Sequence, residues 1–322
     1  MKNWITLSIL FGILTPGEIF SQQVPEVDQN FPYLVTFGNK ANKSWGDDDF
    51  VQTFFFSVPQ TCNQAIYIRV YDPDAGGKVD ENRGGFNTKT RFTVYGGTGA
   101  HSNPDARKQD PVGNYKSGVQ LSTRTFGADT AYDQKWYTFG PFSPIEGELQ
   151  PDYGGYIFKI IIEGIDGDDG NLYKMFLSTK RDENVEVEGG NSFTYEFCLR
   201  LPDDVGSISH LYPFVSANVV AVKTSVFDYD KDGMIRTISV ATKGEIFKPA
   251  GDGVWVDTTH VIVAEEYNTS LDIQFVKQNP VKNNNIVIYI TNQYGELMPF
   301  YTVPIGGVPK YKYKIAVIKP VK

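Results

Sequence analysis

Tyr156-Ile157-Phe158-Lys159-Ile160-Ile161-Ile162-Glu163, the turn Asp166-Gly167-Asp168-Asp169-Gly170-Asn171, and Leu172-Tyr173-Lys174-Met175-Phe176-Leu177-Ser178 together decide the fold class. Both flanking runs are rich in β-branched and aromatic residues, which fit a pleated, half-buried surface better than a helix. The turn between them is almost entirely Asp, Gly and Asn, residues that tolerate tight backbone geometry. The stretch predicts a β-hairpin closed by an acidic turn.

The same grammar recurs along the chain. Strand-like runs are expected at 31–37, 51–58, 66–71, 90–95, 136–142 and 193–201. A polar segment at 96–118, containing His101, Pro104, Asp105 and Pro111, reads as a long exposed loop. After Pro202-Asp203-Asp204-Val205-Gly206-Ser207, a linker by composition, further strands are expected at 218–227, 234–241, 259–264, 271–276, 286–291, 297–303 and 311–318. Within 322 residues, 22 Phe, 19 Tyr, 31 Gly and 18 Pro fit many short strands separated by turns. The expectation is an all-β protein. A jelly-roll-like β-sandwich occupies 22–204 and an immunoglobulin-like β-sandwich 207–322.

The first 21 residues have the form of a signal peptide. Lys2 gives a positive start, residues 5–14 an apolar run, and Ser21 a small residue suited to cleavage before Gln22. The apolar run is too short for a transmembrane span. The mature chain is expected to be exported, to the periplasm or the cell surface, with no transmembrane span. An oxidising compartment favours a disulfide between Cys62 and Cys198. In 193–201 the apolar residues alternate so that Cys198 falls on the polar face with Glu196 and Arg200, and Cys62 lies in the polar turn Gln60-Thr61-Cys62-Asn63-Gln64. Two surface cysteines fit a staple.

Four stretches concentrate carboxylates beside glycine: Gly46-Asp47-Asp48-Asp49, residues 72–82, residues 166–171, and Asp228-Tyr229-Asp230-Lys231-Asp232-Gly233. Hard divalent cations take several oxygen ligands, and alternate acids on a tight turn supply them. Calcium is the cofactor expected, held by Asp228, Asp230 and Asp232 and by Asp72, Asp74 and Asp80. A metal-free reading stands beside it, in which Asp and Gly only satisfy turn geometry. Residues 166–171 read first as a hairpin turn.

Other chemistries find little support. His101, His210 and His260 are the only histidines, and none has a neighbour at zinc-binding spacing. No nucleophile elbow or phosphate-binding glycine loop occurs. A net charge of −8 does not suit a nucleic-acid binder, which neutralises phosphates with a basic stripe. The expectation is a protein that is not an enzyme. Trp45, beside the first acidic cluster, and Trp136 are the candidate binding aromatics, since flat exposed rings stack on sugars or anchor partners.

Several short segments resemble known families. Asp228-x-Asp230-x-Asp232-Gly233 resembles the first half of an EF-hand or dockerin calcium loop. Its twelfth position is Ser239 rather than Glu, and strands flank it. Residues 154–177 resemble the late hairpin of accessory β-sandwich domains on secreted bacterial proteins, among them pre-peptidase C-terminal and jelly-roll carbohydrate-binding types. Asn279-Pro280-Val281 with residues 286–291 and Gly295 is similar to type IX secretion sorting domains, without their second hairpin or terminal Gly-x-Tyr. These resemblances imply a non-catalytic binding or structural component of a bacterial cell envelope or secretion apparatus. It would act through a protein partner from that envelope or machinery. The second expectation is a carbohydrate-binding module with a glycan ligand.

Overall fold

The computed structural model describes residues 22–247 and 251–312. The expected signal peptide and most of the strand expected at 311–318 lie outside the described residues. Within them the chain is all-β, with 21 strands and only 3-10 turns of three or four residues. The strands are β1 (Gln23–Val24), β2 (Tyr33–Phe37), β3 (Val51–Pro59), β4 (Ile66–Tyr71), β5 (Lys89–Gly96), β6 (Val119–Phe126) and β7 (Trp136–Phe142). Next come β8 (Glu148–Gln150), β9 (Gly155–Asp166), β10 (Gly170–Ser178), β11 (Asn191–Thr194), β12 (Glu196–Arg200) and β13 (Ile208–Val215). The rest are β14 (Ala221–Phe227), β15 (Gly233–Ile238), β16 (Lys243–Phe247), β17 (Trp255–Val261), β18 (Thr269–Ser270), β19 (Asp272–Lys277), β20 (Asn285–Asn292) and β21 (Phe300–Tyr301).

They form two large sheets. The first runs β17-β14-β20-β12-β2-β10-β4-β7, with β1 added on β10. The second runs β16-β15-β19-β13-β21-β11-β3-β9-β5-β6, with β18 on β13 and β8 on β9. Strands from both sides of residues 202–207 share each sheet. Phe197 on β12 pairs with Ile288 on β20, and β21 bridges β11 and β13. One apolar core between the sheets includes Leu34, Phe54, Phe158 and Phe197 together with Val222, Ile273 and Ile288.

Patches on the outer faces are also covered, so parts of the molecule have more than two layers. On the first sheet, Val35, Phe37, Leu172, Cys198, Phe227 and Val287 are buried, with Trp45, Phe50 and Val79 packed on them. On the second, Phe55, Ile157, Phe193, Tyr195 and Tyr301 form a separate buried cluster. This explains why residues 157–162 lack alternation. Their strand is buried on both faces, and such strands read as continuous apolar runs. Lys159 sits fully buried in that run, its Nζ donating to the carbonyl oxygens of Tyr115 and Ser117, each at 2.7 Å. The segment 96–118 is therefore not simply exposed. It folds back over the sheet and buries Ala100, His101 and Ala106.

The hairpin expected over residues 156–178 is not formed. β9 pairs with β3 and β5 in the second sheet, and β10 pairs with β2 and β4 in the first. The acidic turn carries the chain from one sheet to the other. The other three acidic stretches do the same, between β2 and β3, β4 and β5, and β14 and β15. Corners and hairpin turns make the same demand for Asp and Gly, so composition does not separate them. The corners also pack tightly. A Cβ added at Gly38 would lie 2.3 Å from Gly167 O, and one at Gly164 would lie 1.8 Å from Phe37 O.

Candidate metal centres and binding surface

The corner before β10 is the best-satisfied of the four. Asp169 is fully buried, and its carboxylate accepts the backbone amides of Arg83 at 2.9 Å, Asn87 at 2.6 Å and Thr88 at 3.2 Å. Asp166 is partly exposed and pairs with Lys40. Backbone donors do here what a cation would do, so this corner is an acidic turn without need of metal.

The corner after β4 differs. Asp72, Asp74 and Asn171 are fully buried, and Asp80 is partly so. Asp74 Oδ2 accepts the amide of Tyr132 at 2.7 Å, and Asp80 Oδ1 accepts the amide of Leu172 at 2.8 Å. Asn171 Nδ2 donates to Pro73 O at 2.8 Å, which ties it to the turn between Asp72 and Asp74 in the chain. Five buried oxygens around them accept no hydrogen bond from the protein: both of Asp72, Oδ1 of Asp74, Oδ2 of Asp80 and Oδ1 of Asn171. Burial pushes the carboxyls up, to about 7 for Asp72, about 6 for Asp74 and about 8 for Asp80. Gln134 N at Asp72 and Gly76 N at Asp80 offset part of the rise without reaching hydrogen-bond geometry, and the Asp129 carboxyl stands against that of Asp74. The neighbouring charges that raise them are acids: Asp133 and Asp74 on Asp72, Asp129 on Asp74, Asp72 and Asp74 on Asp80.

Two further groups of three carboxylates each bring oxygens within 4.8 Å of one another: Asp47, Asp48 and Asp49, and Asp228, Asp230 and Asp252. Asp72, Asp74 and Asp80 are more widely set than either. Both oxygens of Asp47 are taken by backbone amides, from Phe37 at 2.7 Å and Phe50 at 2.8 Å. Burial nonetheless raises its carboxyl to about 7, and Asp49 Oδ2 lies buried without a donor. Half-buried Glu196 faces this cluster, its carboxyl raised well above the usual range first by burial and then by the charge of Asp49.

In the Asp228–Gly233 loop, the expected third ligand turns elsewhere. Asp232 is fully buried, and its Oδ2 accepts Lys277 Nζ at 2.7 Å and Asn284 Nδ2 at 3.1 Å. Left-handed backbone at Asp228, Asp230 and Lys231 winds the loop away from the EF-hand path. Asp252, from a distant segment, stands near Asp228 and Asp230 instead, where Gly253 N donates to Asp228 Oδ1 at 2.5 Å. No sequence signal marked Asp252, and Asn171 stands in the 166–171 stretch with nothing to link it to the corner after β4. Each reaches its cluster only through tertiary packing.

The cysteine expectation is overturned, since both thiols are free. Parity does point Cys198 away from the core between the sheets. However, residues 38–50 cover that face, and its Sγ donates to Gly46 O at 3.0 Å. Cys198 N also binds Gln52 Oε1, at the start of β3, whereas Cys62 follows the far end of β3. Seven strand residues at about 3.3 Å each separate those ends by roughly 23 Å. A disulfide needs Cα atoms within about 7 Å.

The two candidate tryptophans are half-buried, each with a guanidinium against its ring. Arg83 lies 4.2 Å from the Trp45 ring centre and Arg69 lies 5.0 Å from that of Trp136. Sequence reasoning missed a different surface feature. A cleft of about 1000 Å³ opens between residues 26–28 and 302–308. Val27, Tyr212, Val303, Ile305 and Val308 line it, with Glu26, Asp28 and Glu186 among its polar groups. Val27 is 69% exposed and Val308 51%. No helix among the described residues is long and apolar enough to cross a membrane. Searches of protein-family models, curated proteins and solved structures return no match to this chain.

Proposed function

We propose that this chain is a non-catalytic binding or structural component of a bacterial cell envelope or secretion apparatus, exported and acting through a protein partner. The observation that carries the reading is the cleft beside Val27. Exposed apolar side chains grouped in a concavity cost solvation free energy and mark interaction sites. Here Val27, Ile305 and Val308 offer apolar area, while Glu26, Asp28 and Glu186 add negative charge. With the chain's net charge of −8, that charge selects a partner segment combining apolar and basic side chains.

The test is affinity capture from envelope extracts with the full chain, followed by reconstitution with the purified partner. Val27→Glu together with Val308→Glu should reduce that binding at least tenfold without changing the melting temperature, because both side chains are exposed. A saturable glycan-array signal abolished by Trp45→Ala or Trp136→Ala, with no partner captured, would favour a carbohydrate-binding module instead.

A further inference from the structure

We propose that Asp72, Asp74, Asp80 and Asn171 form a calcium site that clamps the segment 72–82 onto the start of β10. Four side chains bear on this corner, three from residues 72–80 and one from β10, the strand paired with β4. Their five buried oxygens lack any donor from the protein, and Asp72 contributes both of its own. Asn171 carries the argument beyond an acidic cluster. It is a neutral, fully buried amide whose nitrogen is bound to Pro73 O while its oxygen accepts nothing. A buried acceptor left unpaired is destabilising, and this corner has five. A divalent cation drawing these side chains together would answer them jointly.

The donor set selects the metal. It is all oxygen, mixed carboxylate and amide, with one carboxylate free to bind through both atoms. That suits calcium, which takes about six to eight oxygens in irregular geometry, and suits zinc poorly, which favours nitrogen and sulfur. Magnesium demands a near-octahedral shell at about 2.1 Å and keeps several waters, so it fits a dehydrated cage less well. Because the three carboxylates are set more widely than the two acidic triads, binding draws them together. Glu81, next to Asp80, exchanges two backbone hydrogen bonds with Gly170, and its carboxylate binds the Arg200 guanidinium and Asn285 Nδ2. Closing the cage therefore fixes the layer that covers β12 and β20.

Isothermal titration of calcium chloride into the metal-stripped full chain tests this. Wild type should bind with a sub-millimolar Kd, in the range of extracellular calcium modules (about 0.1–1 mM or tighter). Asp72→Asn or Asp80→Asn should weaken the tightest binding by about fivefold or more, and Asp228→Asn should leave it in place. Since the substitutions remove repulsion, both variants should melt in EDTA at or above the wild-type temperature, which separates lost ligation from lost folding. Absence of calcium binding in wild type at about 10 mM, or a change below about fivefold in both cage variants, would overturn the site. Neither result bears on the partner cleft, whose variants are read separately.

Discussion

The corner before β10 and the corner after β4 are both rich in Asp and Gly and opposite in electrostatics. In the corner at 166–171, Asp169 is buried with three backbone amides aimed at its carboxylate. In the corner at 72–82, Asp72 is equally buried and accepts none. A buried carboxylate needs compensation, and amides, a cationic side chain or a metal ion supply it. Asp232 takes the second route at one oxygen, through Lys277, while its Oδ1 and the neighbouring Asn284 Oδ1 stay buried without a donor. The lesson is that Asp/Gly richness does not signal a metal. What distinguishes the 72–82 corner is the number left over, five buried oxygens with no cationic side chain bound to any of them.

The same substitution should therefore act with opposite sign in the two corners. Asp169→Asn removes one of the two oxygens shared by the part-buried amides of Arg83 and Asn87 and the buried amide of Thr88, and should destabilise the fold by about 2–3 kcal/mol in calcium and in EDTA alike. Urea unfolding under both conditions checks this. If Asp169→Asn proved neutral, the amides would be finding other partners and the contrast between the corners would weaken.

A smaller effect comes from the edge of the molecule, away from the acidic corners. His260 on β17 joins the edge strands of both sheets, with Nδ1 2.8 Å from Glu245 Oε2 on β16 and Nε2 3.0 Å from buried Glu266 Oε1. Burial lowers its pKa, but the two carboxylates outweigh burial and raise it above the ordinary 6.5. A raised histidine pKa gives stability fully present below about 6.5 and lost as pH rises through the folded value. The cage carboxyls have raised pKa values as acids, so without metal they too cost stability as pH rises, from about 4 to about 8. Calcium should remove the second slope and leave the first. His260→Ala should flatten the part above pH 6.5 and lower stability by about 2 kcal/mol at pH 6. Melting curves against pH, with and without calcium, resolve the two. A single slope abolished entirely by calcium would remove His260 from the account.

Much of the secondary structure was legible in the residues. β4 and β7 match their expected limits, because β-branched and aromatic runs ended at clear turn residues. β6 (Val119–Phe126) was missed. It is an edge strand whose Gln120, Ser122, Thr123, Arg124 and Thr125 leave no apolar alternation to detect. β13 (Ile208–Val215) was hidden beside the segment taken as a linker, where Ser209, His210 and Pro213 dilute the strand signal. The acidic positions Asp72, Asp74, Asp80, Asp228 and Asp230 could be singled out from spacing. Which of them share a site could not, because Asn171 and Asp252 arrive from other segments and Lys277 captures Asp232. Parity placed Cys198 away from the inner core, but nothing local announced the layer that buries it.

The central claim is that leftover buried oxygens at 72–80, rather than acidic composition, create a need for calcium. Thermal melting of wild type and Asp80→Asn, in calcium and in EDTA at fixed ionic strength and pH 7.5, tests it most directly. Fixed ionic strength matters because salt alone screens carboxylate repulsion. The account predicts that calcium raises the wild-type melting temperature, by an amount equivalent to about 2.7 kcal/mol when calcium is a hundredfold above Kd. It predicts a clearly smaller rise in Asp80→Asn, which melts no lower than wild type in EDTA. Equal shifts in the two proteins, or superimposable wild-type curves in calcium and EDTA, would contradict it.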